Sequence, residues 1–379
     1  MRVAIIHDWL VSQRGGENVL DAICELFPRA HLFTLVYEPG QVSDNILMPT
    51  RHVSVLQKVP YATKRYRHML PLMPWAIERF DLSGFDLILS SSHCVAKGVI
   101  KTGDAYHASY VHAPMRYMWD RFDEYFGPGR YNPVTRLAAR LFRPYLQNWD
   151  KRSAERVDHF MANSNFIAAK IDQYYQRKAN VVYPFCEPED FARARQPGRN
   201  YLMVTALVPY KRVDMAIEAF NRMKKPLLIV GDGPDRDRLK KMAGPTIDFV
   251  GSLKRETIAD LYSRCRALVF PGIEDFGIVP VEAMAAGAPV IAFGAGGALE
   301  TVTEETGLFF YENSVEALMA AIEEFEKREF DSEACRRRGR EFNRARFQRE
   351  FMQQLAENVP AKIWSSLKTA DSALQPASV

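Results

Sequence analysis

The sequence predicts an α/β protein of two doubly wound domains built on parallel sheets. Three observations carry this. Short apolar runs alternate with helix-length amphipathic segments along the whole chain. At 379 residues the chain exceeds one ordinary hydrophobic core. The alternation pauses once, in "YPFCEPEDFARARQPGRN" (183–200), where three prolines and mixed charge mark a linker, with a hinge expected near 184–198.

Taken in order, the apolar runs predict strands at 2–6, 31–36, 86–90, 107–111 and 158–162 in the first domain. In the second they fall at 201–205, 227–230, 247–250, 267–270, 289–292 and 307–310. Helical periodicity covers 17–27, 134–157, 165–175, 212–223, 255–264, 315–328 and 333–358. The expected domains are 1–184 and 198–340. A C-terminal helix over about 341–367 crosses back to the first domain, and the small, polar stretch 369–379 is expected to be disordered.

Hydrophobic residues make up 47% and charged residues 25%, a globular balance. No apolar run approaches the roughly 18 residues of a membrane span. The N-terminal "MRVAIIHDWL" is too short in its apolar part for a signal peptide and is interrupted by Asp8. The five cysteines are scattered without a C-x-x-C pair, which predicts reduced, buried thiols in a cytoplasmic protein. Residues 1–185 carry 23 Lys and Arg against 17 Asp and Glu. Two stretches there, 51–77 and 125–149, are basic, aromatic and free of acid. Such a surface suits an anionic membrane face, and equally a solvated basic face over core aromatics. No nucleic-acid-binding motif accompanies it.

Ligands of open α/β sheets bind at the carboxyl ends of strands, so residues just after strands are the informative ones. Gly15 and Gly16 precede a helix whose first turn carries Glu17. The pair permits close backbone approach, and the helix N-terminus offers N–H groups to an anion. This is not the G-x-G-x-x-G of dinucleotide enzymes. His112 follows a strand with a proline close behind, outside regular structure. Lys211 and Arg212 open the helix after strand 201–205. Cations there oppose the helix dipole, a placement a diphosphate between them would justify, at about 1.5–3 kcal/mol per charged hydrogen bond. Asp235, Arg236 and Asp237 mimic a metal-binding D-x-D but begin a helix, so they read as a solvated first turn.

The stretch "PGIEDFGIVPVEAMAAGAPVIA" (271–292) holds two carboxylates eight positions apart. Glu274 lies in a loop forced by Pro271 and Gly272. Glu282 lies about one turn into a helix starting near Ile278, with Pro280 harmless in its first turn. A carboxylate beside a sugar stabilises positive charge developing at the anomeric carbon, and a second one accepts from a ribose diol. N-capping by Glu282 and simple exposure of Glu274 account for the same pattern without a ligand.

With "HDWL", "SSSHCVAKG", "HAPMRYMWD", "ANS", "VPYKRVD", "VGDGP", "FVGSL" and "GGALE" in order around this E-x7-E block, the chain resembles the retaining GT-B glycosyltransferases of family 4 over about residues 1–366. It looks more narrowly like bacterial mannosyltransferases of O-antigen and exopolysaccharide assembly. The resemblance implies two Rossmann-like domains facing across a cleft that closes about the linker and excludes water. It implies His112 and Glu274 at the transferred sugar and Glu282 at the ribose. Lys211 and Arg212 would neutralise the diphosphate. Gly15, Gly16 and the segment Phe276, Gly277 and Ile278 would bind its oxygens, and Leu253 would meet the base. It implies GDP-mannose as donor and a polyprenyl-diphosphate-linked saccharide as acceptor. No metal or other cofactor is expected, and the expected location is the cytoplasm, with peripheral attachment to the inner face of the plasma membrane as an option the basic surface leaves open. One position departs from the pattern: Ala206 stands where many members carry an arginine, which puts the sharing of phosphate charge in doubt. A GT-B epimerase acting on a UDP-N-acetylhexosamine, a dinucleotide oxidoreductase and a non-catalytic membrane-surface binder are the rivals. The epimerase would not be expected to carry the E-x7-E block or the basic face, the oxidoreductase would need the glycine fingerprint that this chain lacks, and the binder leaves the residues after the strands unexplained.

Overall fold

The computed structural model describes residues 2–127 and 132–372, with side chains through 366. The chain divides into two compact units, one of residues up to Val182 together with Gln348 onward, the other Tyr183–Phe347. The linker expected at 184–198 therefore groups with the second unit. Each unit holds one all-parallel sheet, as the expected Rossmann-like pattern requires.

The first sheet has seven strands in the order β3-β2-β1-β4-β5-β6-β7. They are β1 (Val3–His7), β2 (His31–Thr34), β3 (Thr50–Val53), β4 (Leu87–Ser92), β5 (Tyr106–Val111), β6 (His159–Ala162) and β7 (Ala179–Val181). The second has six, β10-β9-β8-β11-β12-β13. These are β8 (Tyr201–Val204), β9 (Leu227–Val230), β10 (Ile247–Gly251), β11 (Leu268–Phe270), β12 (Val290–Phe293) and β13 (Gly307–Phe310). The central strands β1, β4, β11 and β12 are buried at every position. Burial on both faces demands continuous apolar runs, the pattern that betrays them in the sequence.

The two edge strands β3 and β7 were not expected. β3 reads Thr-Arg-His-Val and β7 only Ala-Asn-Val, and neither has a fully buried residue. A helix expected over 333–358 is two, Ser332–Glu341 and Arg344–Asn358, and the expected crossing helix ends at Asn358, before Pro360. From Gln348 the chain packs on the first unit. The Gln348 amide donates to Glu25 Oε2 at 2.9 Å and to Ala22 O at 3.3 Å on the helix Gly15–Leu26, and Phe351 and Leu355 are buried. A further helix, Ala361–Ser372, takes in the first four positions of the stretch expected to be disordered. Residues 373–379 lie outside the described residues. All five cysteines are buried and unpaired. Among the described residues no helix is long and apolar enough to cross a membrane.

Candidate active site

In a doubly wound sheet, loops leaving neighbouring strands part where the strand order reverses, and ligands bind in that opening. The reversal lies between β1 and β4 in the first sheet and between β8 and β11 in the second. Several of the residues singled out from the sequence, His112, Gly16, Lys211, Glu274 and Gly277 among them, lie in the segments that follow the strands at or beside these two places.

In the first unit, β1 ends at His7 and pairs with β4 in a register that sets His7 beside Ser91. Asp8, wholly buried, follows. Its carboxylate accepts from four successive backbone N–H groups, those of His93, Cys94, Val95 and Ala96, at 2.8, 2.9, 2.6 and 2.8 Å. These bonds satisfy a buried charge and fix the loop after β4. They also hold His93 Nδ1 3.2 Å from Asp8 Oδ2. His112 follows β5, and its Nε2 lies 2.8 Å from Ser91 Oγ. The same hydroxyl lies 3.1 Å from His7 Nδ1. Gly16 borders this group: a Cβ there would stand 3.7 Å from His112 Nε2, whereas one at Gly15 would meet nothing within 4 Å.

Glu17 is buried in the first turn of the helix. One oxygen accepts from the Arg14 N–H at 2.9 Å, half of a capping box. The other faces His7 Nε2 at 3.7 Å, an electrostatic contact rather than a hydrogen bond. Burial would raise the Glu17 carboxyl, but the His7 imidazole and the field of His93 outweigh it and hold the group at about 2. Burial drives His112 well below the ordinary histidine value, helped by His93, His7 and Arg116 and opposed by Glu17. His93 is lowered for the same first reason, despite Asp8. His112 is thus a neutral imidazole that keeps part of its ring exposed, suited to hydrogen bonding rather than to carrying charge.

In the second unit, Lys211 closes a 3-10 turn, Pro209–Lys211, after β8, rather than opening a helix as expected. Its ammonium pairs with Glu274 in the loop after β11, both side chains mostly buried. Glycines allow this meeting. A Cβ at Gly272 would stand 2.8 Å from Tyr210 O and 2.9 Å from Lys211 Cα. Gly296, at φ +68, forms a parallel bridge with Glu274, and a Cβ there would come 2.4 Å from Glu274 O. The Gly297 N–H donates to that same oxygen at 2.9 Å. Gly277, at φ +89, caps the helix Ile278–Ala285, with Phe276 buried just before it and Ile278 half-buried. Glu282 on this helix accepts from the Tyr262 hydroxyl at 3.2 Å. Burial pushes its carboxyl up to about 7, against the pull of Arg255 and the Tyr262 hydroxyl.

Arg212 does not join Lys211. It adopts φ +53, and its guanidinium bonds Asn313 and lies 3.7 Å from Asp214. It thus turns away from Lys211, and Ala206 is exposed. Leu253 packs at the margin of the core that contains Tyr262 and Val281. Asp235, expected in a solvated first turn, is instead buried at the N-cap of the helix Arg236–Met242, where Arg238 bonds it at 3.0 Å. Sequence reasoning missed His7, Asp8, Ser91 and His93 as members of one cluster, and Tyr262 as the partner of Glu282. The available signal was polar residues ending fully apolar strands, "HD" after β1 and "SSSH" closing β4. Only the sheet order makes them neighbours.

A family model described as Glycosyltransferase Family 4 matches residues 14–190, and one described as Glycosyl transferases group 1 matches 188–342. A GDP-mannose-dependent alpha-mannosyltransferase of Mycolicibacterium smegmatis is 34% identical over 188 residues, 46% of this chain and 50% of that protein. The O-antigen chain mannosyltransferase C of Escherichia coli is 28% identical over 232 residues, 56% of this chain and 61% of that protein. The chain thus spans about half the length of the curated relatives it matches. Among solved structures, a sucrose-phosphate synthase of Thermosynechococcus elongatus superposes with a TM-score of 0.65 at 19% identity, over 94% of this chain and 99% of that one. That likeness concerns the fold, which is of GT-B type.

Proposed function

Because the chain belongs to glycosyltransferase family 4, we propose that it moves mannose from GDP-mannose onto a lipid-linked saccharide, with retention at the anomeric carbon. The observation that carries the reading is the Lys211–Glu274 pair at the strand reversal of the second sheet, with Glu282 on the adjoining helix. A diphosphate competes with Glu274 for the Lys211 ammonium. Once it binds, Lys211 neutralises the leaving charge and Glu274 turns to the sugar hydroxyls. The amides about Gly277 and Ile278 suit phosphate oxygens, and Glu282 suits the ribose diol. In the first unit His112 hydrogen-bonds a sugar hydroxyl.

The reaction we assign is front-face substitution. The bond from the anomeric carbon to the β-phosphate oxygen breaks while the bond to the acceptor oxygen forms on the same face. The acceptor proton passes to the departing phosphate oxygen. Lys211 supplies the positive charge this needs, so the assignment requires no metal. The choice of mannose and guanosine is supported by the names of the relatives.

An anionic membrane surface belongs to the same reading. The helix Pro133–Ser153 exposes Val134, Leu137, Leu141 and Tyr145 at helical spacing, with Arg140 beside them. Trp75, Leu72 and Tyr61 are exposed in the same unit among Lys58, Lys64, Arg65 and Arg67. Positions 128–131 of the acid-free run lie outside the described residues. Calorimetric titration with GDP and UDP side by side tests the donor. Preference for GDP is expected, and preference for UDP would remove the mannosyl assignment.

A further inference from the structure

The first unit contains a row of polar groups that nucleotide binding in the second does not use. Glu17, His7, Ser91 and His112 come from four separate segments: the helix Gly15–Leu26, β1, β4 and the loop after β5. They stand in line, Glu17 Oε1 to His7 Nε2 at 3.7 Å, His7 Nδ1 to Ser91 Oγ at 3.1 Å, and Ser91 Oγ to His112 Nε2 at 2.8 Å. His7, Ser91 and Glu17 are buried. His112 is the one member with an open edge, and its Nδ1 makes no hydrogen bond to protein among the described residues.

We propose that Glu17, His7 and Ser91 act as positioning residues that decide which nitrogen of His112 carries its proton, leaving Nδ1 as an acceptor for a ligand hydroxyl. An ionised carboxylate has no proton to give, so the His7 nitrogen that faces it carries the hydrogen: a lone pair there would be repelled by the same charge. Where His7 carries a single proton, as the alkaline pH of the test is chosen to secure, that proton is on Nε2 and Nδ1 has only a lone pair, which accepts from the Ser91 hydroxyl; a doubly protonated His7 would donate from Nδ1 and reverse the chain. That hydroxyl has a single hydrogen, now spent, so toward His112 Nε2 it accepts. His112 therefore holds its proton on Nε2, and Nδ1 is left bare. Each link forces the next, and the carboxylate at the far end sets the direction. The register His7↔Ser91 and the pairing Ser91↔Tyr110 put the two strand members in place through backbone bonds alone.

The surroundings keep the row isolated. His93 lies 5.7 Å from His7 and 6.3 Å from His112 between ring centroids, and its Nδ1 faces Asp8 rather than the row. Tyr110 packs edge-on to His112 at 5.1 Å, and Arg116 adds positive field. That the ligand is a saccharide hydroxyl rests on the glycosyltransferase reading. The proton position does not.

The test therefore has two independent readouts. The full-length protein is labelled with 15N-histidine and its ring nitrogens are assigned by two-bond correlation at about pH 8, above the ordinary histidine range. His112 is expected to show a protonated, pyrrole-like Nε2 and a bare, pyridine-like Nδ1. Glu17→Gln, which keeps shape but gives His7 Nε2 a donor to face, should move the His112 proton toward Nδ1. Ser91→Ala should leave a mixture of both forms. A wild-type His112 protonated on Nδ1 would overturn the proposal, as would a pattern unchanged by both variants. In transfer assays Ser91→Ala should lower kcat/KM on the order of tenfold, the loss of one well-made hydrogen bond. Calorimetric affinity for GDP should stay the same. If the tautomer behaves as expected but no variant and no wild type transfers sugar, the functional reading fails and the proton chain stands. If transfer is robust and indifferent to Ser91→Ala, the chain has no positioning role.

Discussion

Replacing Glu282 by glutamine should stabilise the protein at neutral and alkaline pH while weakening its grip on nucleotide. Burial holds the Glu282 carboxyl at about 7 in the fold, against 4.5 for the ordinary group. The folded state therefore binds the proton more tightly than the unfolded chain does. Below about 4.5 both states are protonated and the residue is neutral in its effect. As pH rises from there to about 7, the unfolded chain ionises first and stability falls, then levels off. The gap corresponds to about 3 kcal/mol at one pH unit per 1.36 kcal/mol. Glu282 keeps a partly open edge, so solvent screening makes this an upper bound and about 2 kcal/mol is the fair expectation. Glutamine carries no charge and still accepts from the Tyr262 hydroxyl. In a unit of this size the variant should melt about 4–8 °C higher at pH 8 and with the wild type near pH 4. The assay is thermal unfolding of both proteins across this range, followed by calorimetric titration with GDP. Binding by the wild type should tighten as pH rises through about 7, since a ribose diol needs the ionised acceptor, and the variant should lose that dependence. Parallel melting curves at every pH, or a variant less stable at pH 8, would refute the reasoning.

Other outcomes follow from the same geometry. Lys211→Ala should weaken GDP about a hundredfold, roughly the 1.5–3 kcal/mol of a charged hydrogen bond, and guanosine little; equal losses would remove the phosphate role. Gly296→Ala puts a Cβ 2.4 Å from Glu274 O in a left-handed residue, so it should lower Tm and donor affinity together, and an unchanged affinity would show the bridge to be incidental. Because Lys211 is assigned the charge a metal would otherwise supply, EDTA should leave transfer intact; sensitivity to it would reopen the question of a bound cation. Binding to anionic liposomes should fall with added salt and with Leu137→Asp plus Leu141→Asp; salt-independent binding would contradict a basic contact surface.

Much of the fold was legible because both sheets are buried on two faces. Most central strands therefore carry an apolar run, and "VAIIH", "LLIV" and "VIAF" announce themselves, although β4 ends in three buried serines. The edge strands of the first sheet did not. β3 and β7 lie where one side of the ladder ends, so nothing forces their side chains to be apolar. The single helix expected over 333–358 failed for a related reason. The periodicity continues through Phe342 and Phe347, both buried, while the backbone breaks between them.

The second unit's site was legible because its chemistry is local in sequence. Glu274, Gly277 and Glu282 fall within one turn and one helix, where spacing alone fixes their neighbourhood. The direction of Arg212 was not legible, because adjacency to Lys211 says nothing of direction once a 3-10 turn and a left-handed residue intervene. The first unit's site was nearly silent for the opposite reason. His7 and Ser91 are 84 residues apart and meet only because β4 inserts beside β1, and His112 joins them from a third strand. What a sequence does carry of such a site is a polar residue ending each of several apolar strands. In a parallel sheet those ends lie on one edge by construction, so the polar strand ends of β1, β4 and β5 belonged together once the sheet was known to be parallel. The order of the strands decides which pairs touch, and here it selects His7 with Ser91 and leaves His112 to Ser91 alone.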